Sequence, residues 1–421
     1  MTDAAIKTRK TRLLFIEDSV GLSGSTMSLC HLLARLDLQK FELFAIFSRP
    51  EQQAYWIALA TFPVQTTVIG RKPDRQERPW VRWLAGLAHR VHPFAERLVR
   101  KTAALLELLV VTIPYCARIL WFCRRKRIDL IHHNNGCGVA VVLLGWVMRV
   151  PVMAYQRGPE WISPMTRQVA RQIPFYCANS QATRQNLLEL GVPSQRIEVV
   201  YPPVELLRFD ARVCTEAIRR ELDVAPGQLT FGIVGNLSEW KGQRVFLRAA
   251  KRVLETVPQA RAFIIGGASR GREAYERELH GLAHDLAIDD RVTFTGFRSD
   301  VPELLKMLDV VVHASVRPEP FGRVIVEAMA MAKPVVATGA GGPLEIIRSE
   351  ENGFLVPPGD HDALAESIIR ILRDPLLARA VGARALLDAE DRFSASTHVV
   401  RMQEIYLRVT RGQSADRVPV C

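Results

Sequence analysis

Arg317-Pro318-Glu319-Pro320-Phe321-Gly322-Arg323-Val324-Ile325-Val326-Glu327-Ala328-Met329-Ala330 follows an apolar run, Asp309–Ala314, that reads as a buried strand. Strand, short loop and helix in that order make half of a parallel βαβ unit, and an open α/β sheet binds ligands at the carboxyl ends of its strands. Gly322 lets backbone approach a ligand closely, and the helix that starts beside it offers unpaired N–H groups to an anion. Glu319 and Glu327 stand eight residues apart, about two helical turns, so both carboxylates can reach one elongated ligand. Carboxylates accept hydrogen bonds from sugar and ribose hydroxyls. Taken alone, the pair reads equally well as a loop charge and a helix cap.

Outward from this stretch the pattern repeats. Thr230–Val234, Ala262–Ile265, Val292–Phe294, Val310–His313, Pro334–Ala337 and Gly353–Val356 are short strand candidates with helical segments between most of them. Between Gly242 and Thr256, Val245, Phe246, Ala249, Ala250, Val253 and Leu254 fall at helical spacing. The first half alternates in the same way: strands at Arg12–Glu17, Phe41–Ser48, Asp129–His133, Val150–Tyr155, Phe175–Ser180 and Ile197–Tyr201, with helices at Thr26–Leu36 and Ala182–Leu190. Pro202-Pro203 stops the last strand, because prolines have no place in a central strand. A chain of 421 residues exceeds one core. The expected division is 1–205, 206–392, and a C-terminal helix over 393–421 that returns to the first domain.

Composition is ordinary for a globular chain, with 48% hydrophobic and 24% charged residues. Seven scattered cysteines without a Cys-x-x-Cys pair suit reduced thiols in the cytoplasm. The apolar run Leu13–Ile16 is too short for a signal-peptide core. Net charge is +12, and Arg71–Arg127 alone carries a balance of +10, fourteen Lys and Arg against four acids. No nucleic-acid-binding motif accompanies that surplus. Around 79–127 the alternation of strand and helix breaks. Thr102–Ala117 is largely apolar but interrupted by Pro114, and a spanning helix needs roughly 20 apolar residues. A helical hairpin, or an interfacial anchor on an anionic membrane, fits this insertion better; a simple solvated face is the plainer alternative.

The Glu-x7-Glu stretch resembles that of the retaining GT-B glycosyltransferases called glycosyltransferase family 4, or group 1. Phe231–Leu237 with Lys241-Gly242-Gln243 resembles the family's first strand and phosphate loop of the second domain. Thr295–Val301 resembles its loop near the nucleobase. Lys333–Ala337, Gly341-Gly342 with Glu345, and Gly353–Asp360 complete the order. The likeness covers roughly 175–410 and is weaker before it. It implies an α/β fold of two Rossmann-like doubly wound domains facing across a cleft. It also implies a retaining transfer of a sugar from a nucleotide-sugar donor to a hydroxyl of a saccharide or lipid-linked saccharide, with no metal and no other cofactor.

The same resemblance implies roles. Glu319 holds donor-sugar hydroxyls, the Phe321–Gly322 backbone lies against the sugar, Glu327 binds the ribose, and Lys241 neutralises the leaving diphosphate. Asn236 stands where the family commonly has arginine, which leaves more of that task to Lys241, helped by Arg323. Phe297 and Arg298 belong to the loop near the base. In the first domain, Gly21-Leu22-Ser23-Gly24-Ser25 lies between strand and helix and is expected to meet the diphosphate, with Gly24 and Ser25 as donor contacts. His133, Asn134 and Asn135 are candidates for contact with the reacting sugar, although the family's histidine pair has one residue between its members and here His132 and His133 adjoin. Arg157-Gly158-Pro159-Glu160-Trp161 is placed to line the acceptor side. A sugar phosphorylase, a nucleotide-sugar epimerase or a non-catalytic binding partner shares the architecture and stays open at this point.

Overall fold

The computed structural model describes residues 9–17, 24–47, 50, 53, 64–69, 99, 102, 103, 106, 108–136, 139–158, 164–206, 208–210, 212–268 and 273–412. Gly21-Leu22-Ser23, most of 71–107 and Pro159-Glu160-Trp161, each singled out above, lie outside them. The chain divides into two compact units. The first comprises Met1–Ala178, Asn186–Glu198 and Arg401–Cys421; the second comprises Asn179–Gln185 and Val199–Val400.

Unit 1 is built on seven strands: β1 (Thr11–Glu17), β2 (Phe41–Phe47), β3 (Gln65–Val68), β4 (Leu130–His133), β5 (Val152–Gln156), β6 (Phe175–Ala178) and β7 (Ile197–Val199). Their order is β3-β2-β1-β4-β5-β6-β7, and every pair from β3 to β6 is parallel. Leu13-Leu14-Phe15-Ile16 is apolar throughout because both faces of β1 are covered. Leu14, Ile16, Phe44 and Ile131 pack against Tyr115, Ile119 and Cys123 of helix Ile113–Lys126, which recur every fourth residue. On the other face Phe15 meets His132 and Tyr406, the latter from helix Ala395–Thr410. Pro114 does not break the apolar stretch. It sits in the first turn of its helix, where no N–H is needed, directly after the π turn Leu108–Thr112.

Unit 2 carries six parallel strands: β8 (Leu229–Val234), β9 (Ala260–Ile265), β10 (Val292–Gly296), β11 (Val310–His313), β12 (Val335–Thr338) and β13 (Phe354–Val356). Their order is β10-β9-β8-β11-β12-β13. Phe231 and Ile233 face helix Gln243–Thr256, whose six apolar residues named above are all buried. Phe263 and Val311 face the opposite way, toward Ile325, Val326 and Met329 of helix Arg323–Ala330. The Asp360 and Asp374 carboxylates each accept two backbone N–H groups and start the helices His361–Arg373 and Pro375–Phe393.

In each sheet the chain runs outward on one side of the first strand and then crosses to the other. The switch points therefore fall between β1 and β4 and between β8 and β11. Crevices form at the carboxyl ends of such neighbours. Among the described residues no helix is long and apolar enough to cross a membrane.

Gly242 closes the β8 crevice tightly. Its φ is +77°, and a Cβ there would lie 1.9 Å from the Ala314 carbonyl oxygen. Gly242→Ala is expected to lower stability by about 2 kcal/mol or more, read from urea unfolding; an unchanged midpoint would contradict the close approach.

Candidate active site

Four side chains converge where β8 and β11 end. Lys241, in the turn after β8, donates from Nζ to Glu319 Oε2 at 2.7 Å. Ser315 Oγ donates to the same oxygen at 3.0 Å, and His313 Nε2 lies 3.2 Å from it. A ring lone pair facing a carboxylate would repel it, so that distance places a proton on Nε2. His313 Nδ1 is buried and has no hydrogen-bond partner among the described residues. Oε2 is thus saturated, whereas Oε1 accepts no hydrogen bond from any described residue. It is the atom left for an incoming hydroxyl. Burial by itself would push the Glu319 carboxyl up, but the His313 hydrogen bond and the Lys241 charge outweigh it, bringing the group from its ordinary 4.5 down to about 2.

Backbone holds this carboxylate in place. Glu319 N–H donates to the Ala340 carbonyl at 3.1 Å, and Gly342 N–H donates to the Glu319 carbonyl at 2.8 Å. Cβ atoms on Gly341 and Gly342 would each lie 2.3 Å from a carbonyl oxygen, those of Glu319 and Phe321 respectively. The glycines after β12 are therefore a condition for the loop after β11. Lys241 Nζ also stands 4.1 Å over the Trp240 ring.

The other residues expected at this site are dispersed in role. Glu327 accepts from Arg323 across one helical turn at 3.0 Å, and Gly322, at φ +100°, caps the N-terminus of their helix. The Phe321 ring turns inward to stack on Tyr201, leaving only its backbone toward the loop. Asn236 is exposed, and its carbonyl accepts from Gln243. Phe297 is 83% exposed. Arg298 is engaged by Asp300 and by Glu221 at both ends of its guanidinium. A base contact from Arg298 would have to compete with two carboxylates. Glu345 accepts from Gln181 N–H at 2.7 Å and Ala182 N–H at 3.0 Å, capping helix Gln181–Glu189.

Unit 1 holds a second polar cluster at the ends of β1, β4 and β5. Glu17, buried at the end of β1, accepts from the Asn134 amide and, at 2.9 Å, from the Asn135 amide. Asn134 Oδ1 accepts from Arg157 at 2.8 Å, and Arg157 Nε donates to the Asn134 carbonyl at 3.1 Å. Asn134 is buried with both amide ends committed, so it braces Glu17 against Arg157. Ser25 joins through its hydroxyl, which accepts from Asn135 at 3.2 Å, and its carbonyl, which accepts from Asn134. Gly24 begins the helix Gly24–Leu33. His133 Nδ1 bonds the Gly136 carbonyl, and His132 Nδ1 lies 2.7 Å from the Tyr406 hydroxyl.

Sequence reasoning passed over His313, Ser315 and Glu17. Each is a polar residue at or just past the end of an apolar strand, which was the available signal. Among the described residues no group of three or more His, Cys, Asp or Glu side chains is arranged to hold a metal ion.

A carboxyl lowered by folding stabilises the folded state above its ordinary value and loses that contribution as pH falls through the folded value. The stability advantage of wild type over Glu319→Gln should therefore be largest, about 3 kcal/mol, near neutral pH and shrink below pH 4.5 toward about 2. A gap independent of pH in urea titrations would contradict the network.

A family model described as glycosyl transferases group 1 matches residues 215–387, and one described as glycosyltransferase family 4 matches 58–208. An uncharacterized glycosyltransferase of Methanocaldococcus jannaschii is 32% identical over 48% of this chain and 52% of its own. The D-inositol 3-phosphate glycosyltransferase of Nocardia farcinica is 32% identical over 70% of this chain and 66% of its own. The chain spans about half the length of several of the curated relatives it matches. The crystal structure of HepE from Anabaena with UDP and glucose superposes with a TM-score of 0.75 at 25% identity, over 94% of this chain and 99% of that one. With one model matching the part of unit 1 that holds β3–β7 and the other matching all six strands of unit 2, the chain belongs to the group 1 glycosyltransferases of family 4.

Proposed function

We propose that the chain is a retaining glycosyltransferase that moves a sugar from a nucleotide-sugar to a hydroxyl of a saccharide or lipid-linked saccharide on the cytoplasmic side. The observation that carries this reading is the pairing of Lys241 with Glu319 at 2.7 Å at the β8/β11 switch point. One cation and one carboxylate with a spare oxygen match the two halves of such a donor, an anionic diphosphate and a polyhydroxylated ring. The UDP and UDP-glucose bound in the HepE structures support the same donor class.

In the reaction, the bond between the anomeric carbon and the diphosphate oxygen breaks, and the nucleoside diphosphate leaves with the electron pair. The acceptor oxygen bonds the anomeric carbon from the same face, and its proton passes to the departing phosphate oxygen. Lys241 stabilises the charge that grows on the diphosphate, which makes a metal ion unnecessary in this reading. The N-terminus of helix Arg323–Ala330 adds the positive end of its dipole. Glu319 Oε1 orients the sugar by accepting from a hydroxyl, and Glu327 takes the ribose. The Glu17–Asn134–Arg157 cluster of unit 1 serves the acceptor side.

A panel of nucleotide-sugars assayed for nucleoside diphosphate release, with and without EDTA, tests this. One member should turn over, and chelator should leave the rate unchanged. Lys241→Ala should lower kcat by about 100-fold or more with a smaller change in KM, because its interaction strengthens in the transition state. Glu327→Ala should chiefly raise the donor KM. No turnover across the panel, or wild-type kinetics in both variants, would overturn the assignment.

A further inference from the structure

Two neighbouring helices of unit 1 turn apolar side chains to solvent. Helix Val139–Met148, VAVVLLGWVM, contains no charged residue. It buries Val141 and Leu144 against the sheet and leaves Leu143, Trp146 and Val147 half-exposed or more, at spacings of three and four residues. Helix Ile113–Lys126 packs into the same cluster through Tyr115, Ile119 and Cys123. Its outward face carries Ile113 and Trp121, and the π turn before it adds Val110. Trp146 is 66% exposed and Trp121 is 61%. A helix that is apolar all round belongs in a protein core or in lipid, and surface apolar residues grouped in this way mark an interaction site.

Charge decides which partner fits. From 108 to 149 the sequence holds six Lys and Arg and one acid, Asp129, and Asp129 is already paired with Arg9. Arg118, Arg124, Arg125, Arg127 and Arg149 are exposed at the ends and flanks of these helices. Arg125 lies 5.1 Å over the Trp121 ring. Tryptophan beside arginine is the composition of a membrane–water boundary, where an amphipathic ring sits at the headgroups and guanidinium meets phosphate. A second copy of this face would bring like charges together with no acids to pair them.

We propose that helices Ile113–Lys126 and Val139–Met148 together form a docking surface for an anionic bilayer. The apolar face enters the headgroup boundary, and the arginines engage lipid phosphates. Neither helix crosses the bilayer, so attachment is reversible and weakened by salt. The surface does not depend on the glycosyl-transfer reading.

Co-sedimentation of the full chain with phosphatidylcholine vesicles, with and without phosphatidylglycerol, tests this at low and high salt. Binding should require phosphatidylglycerol and fall at high salt. Trp146→Glu combined with Val147→Glu should weaken it by about tenfold or more while leaving thermal unfolding unchanged, because both side chains are exposed. Hydrogen exchange of the wild-type chain with anionic vesicles should slow in 108–126 and 139–148, a readout that needs no variant to fold. Unchanged exchange there, or variant binding equal to wild type, would overturn the proposal. A wild-type dimer that the double variant converts to monomer would overturn it as well, assigning the face to self-association.

Discussion

Unit 2 is organised around one oxygen atom. A carboxylate withdrawn from water is costly unless donors replace the solvent, and Glu319 Oε2 receives three: the ammonium of Lys241, the hydroxyl of Ser315 and the ring N–H of His313. That requirement reaches far along the chain. It brings the turn after β8 against the end of β11, which only a glycine at 242 allows, and it seats the Glu319 backbone against residues 340–342, where positions 341 and 342 leave no room for a Cβ. The helix that begins at Gly322 inherits its position from the same loop, and with it the Arg323–Glu327 pair. The loops after β8, β11 and β12 are thereby fixed to one another, and the two oxygens of Glu319 are made unequal: Oε2 is bound into the fold, and Oε1 accepts from no described residue.

Strand positions and the alternation of helix and strand were legible because buried parallel strands are apolar throughout, as Leu13–Ile16 and Val310–Val312 are. Glu319, Lys241 and Gly322 were legible from spacing and from the resemblance. His313 and Ser315 were not, because their value comes from meeting Lys241, and that meeting depends on β8 lying beside β11, a fact of sheet order and not of local sequence. Arg298 shows the opposite case. Its place in the loop suggests a base contact, but Glu221, far away in sequence, occupies its guanidinium. Pro114 looked like an interruption and is a helix start, since a proline in the first turn displaces no hydrogen bond.

Unit 1 teaches a related lesson about hydrophobicity. Val139–Met148 is apolar throughout, but an element ten residues long on the outside of one sheet can bury only one face. The remaining apolar face becomes visible once Val141 and Leu144 are seen to point inward. Similarly, Glu17 is the last residue of an apolar strand, and it gains meaning when Asn134 and Asn135, at the end of the adjacent β4, close over it.

The central claim is that Lys241 recognises the diphosphate of a donor while Glu319 recognises its sugar. Calorimetric titration of wild type and Glu319→Ala with a turned-over nucleotide-sugar, and with its nucleoside diphosphate alone, separates the two halves. The account predicts that wild type binds the nucleotide-sugar more tightly than the diphosphate, and that Glu319→Ala loses this difference while still binding the diphosphate. Equal loss of affinity for both ligands, or a preserved sugar increment, would contradict it.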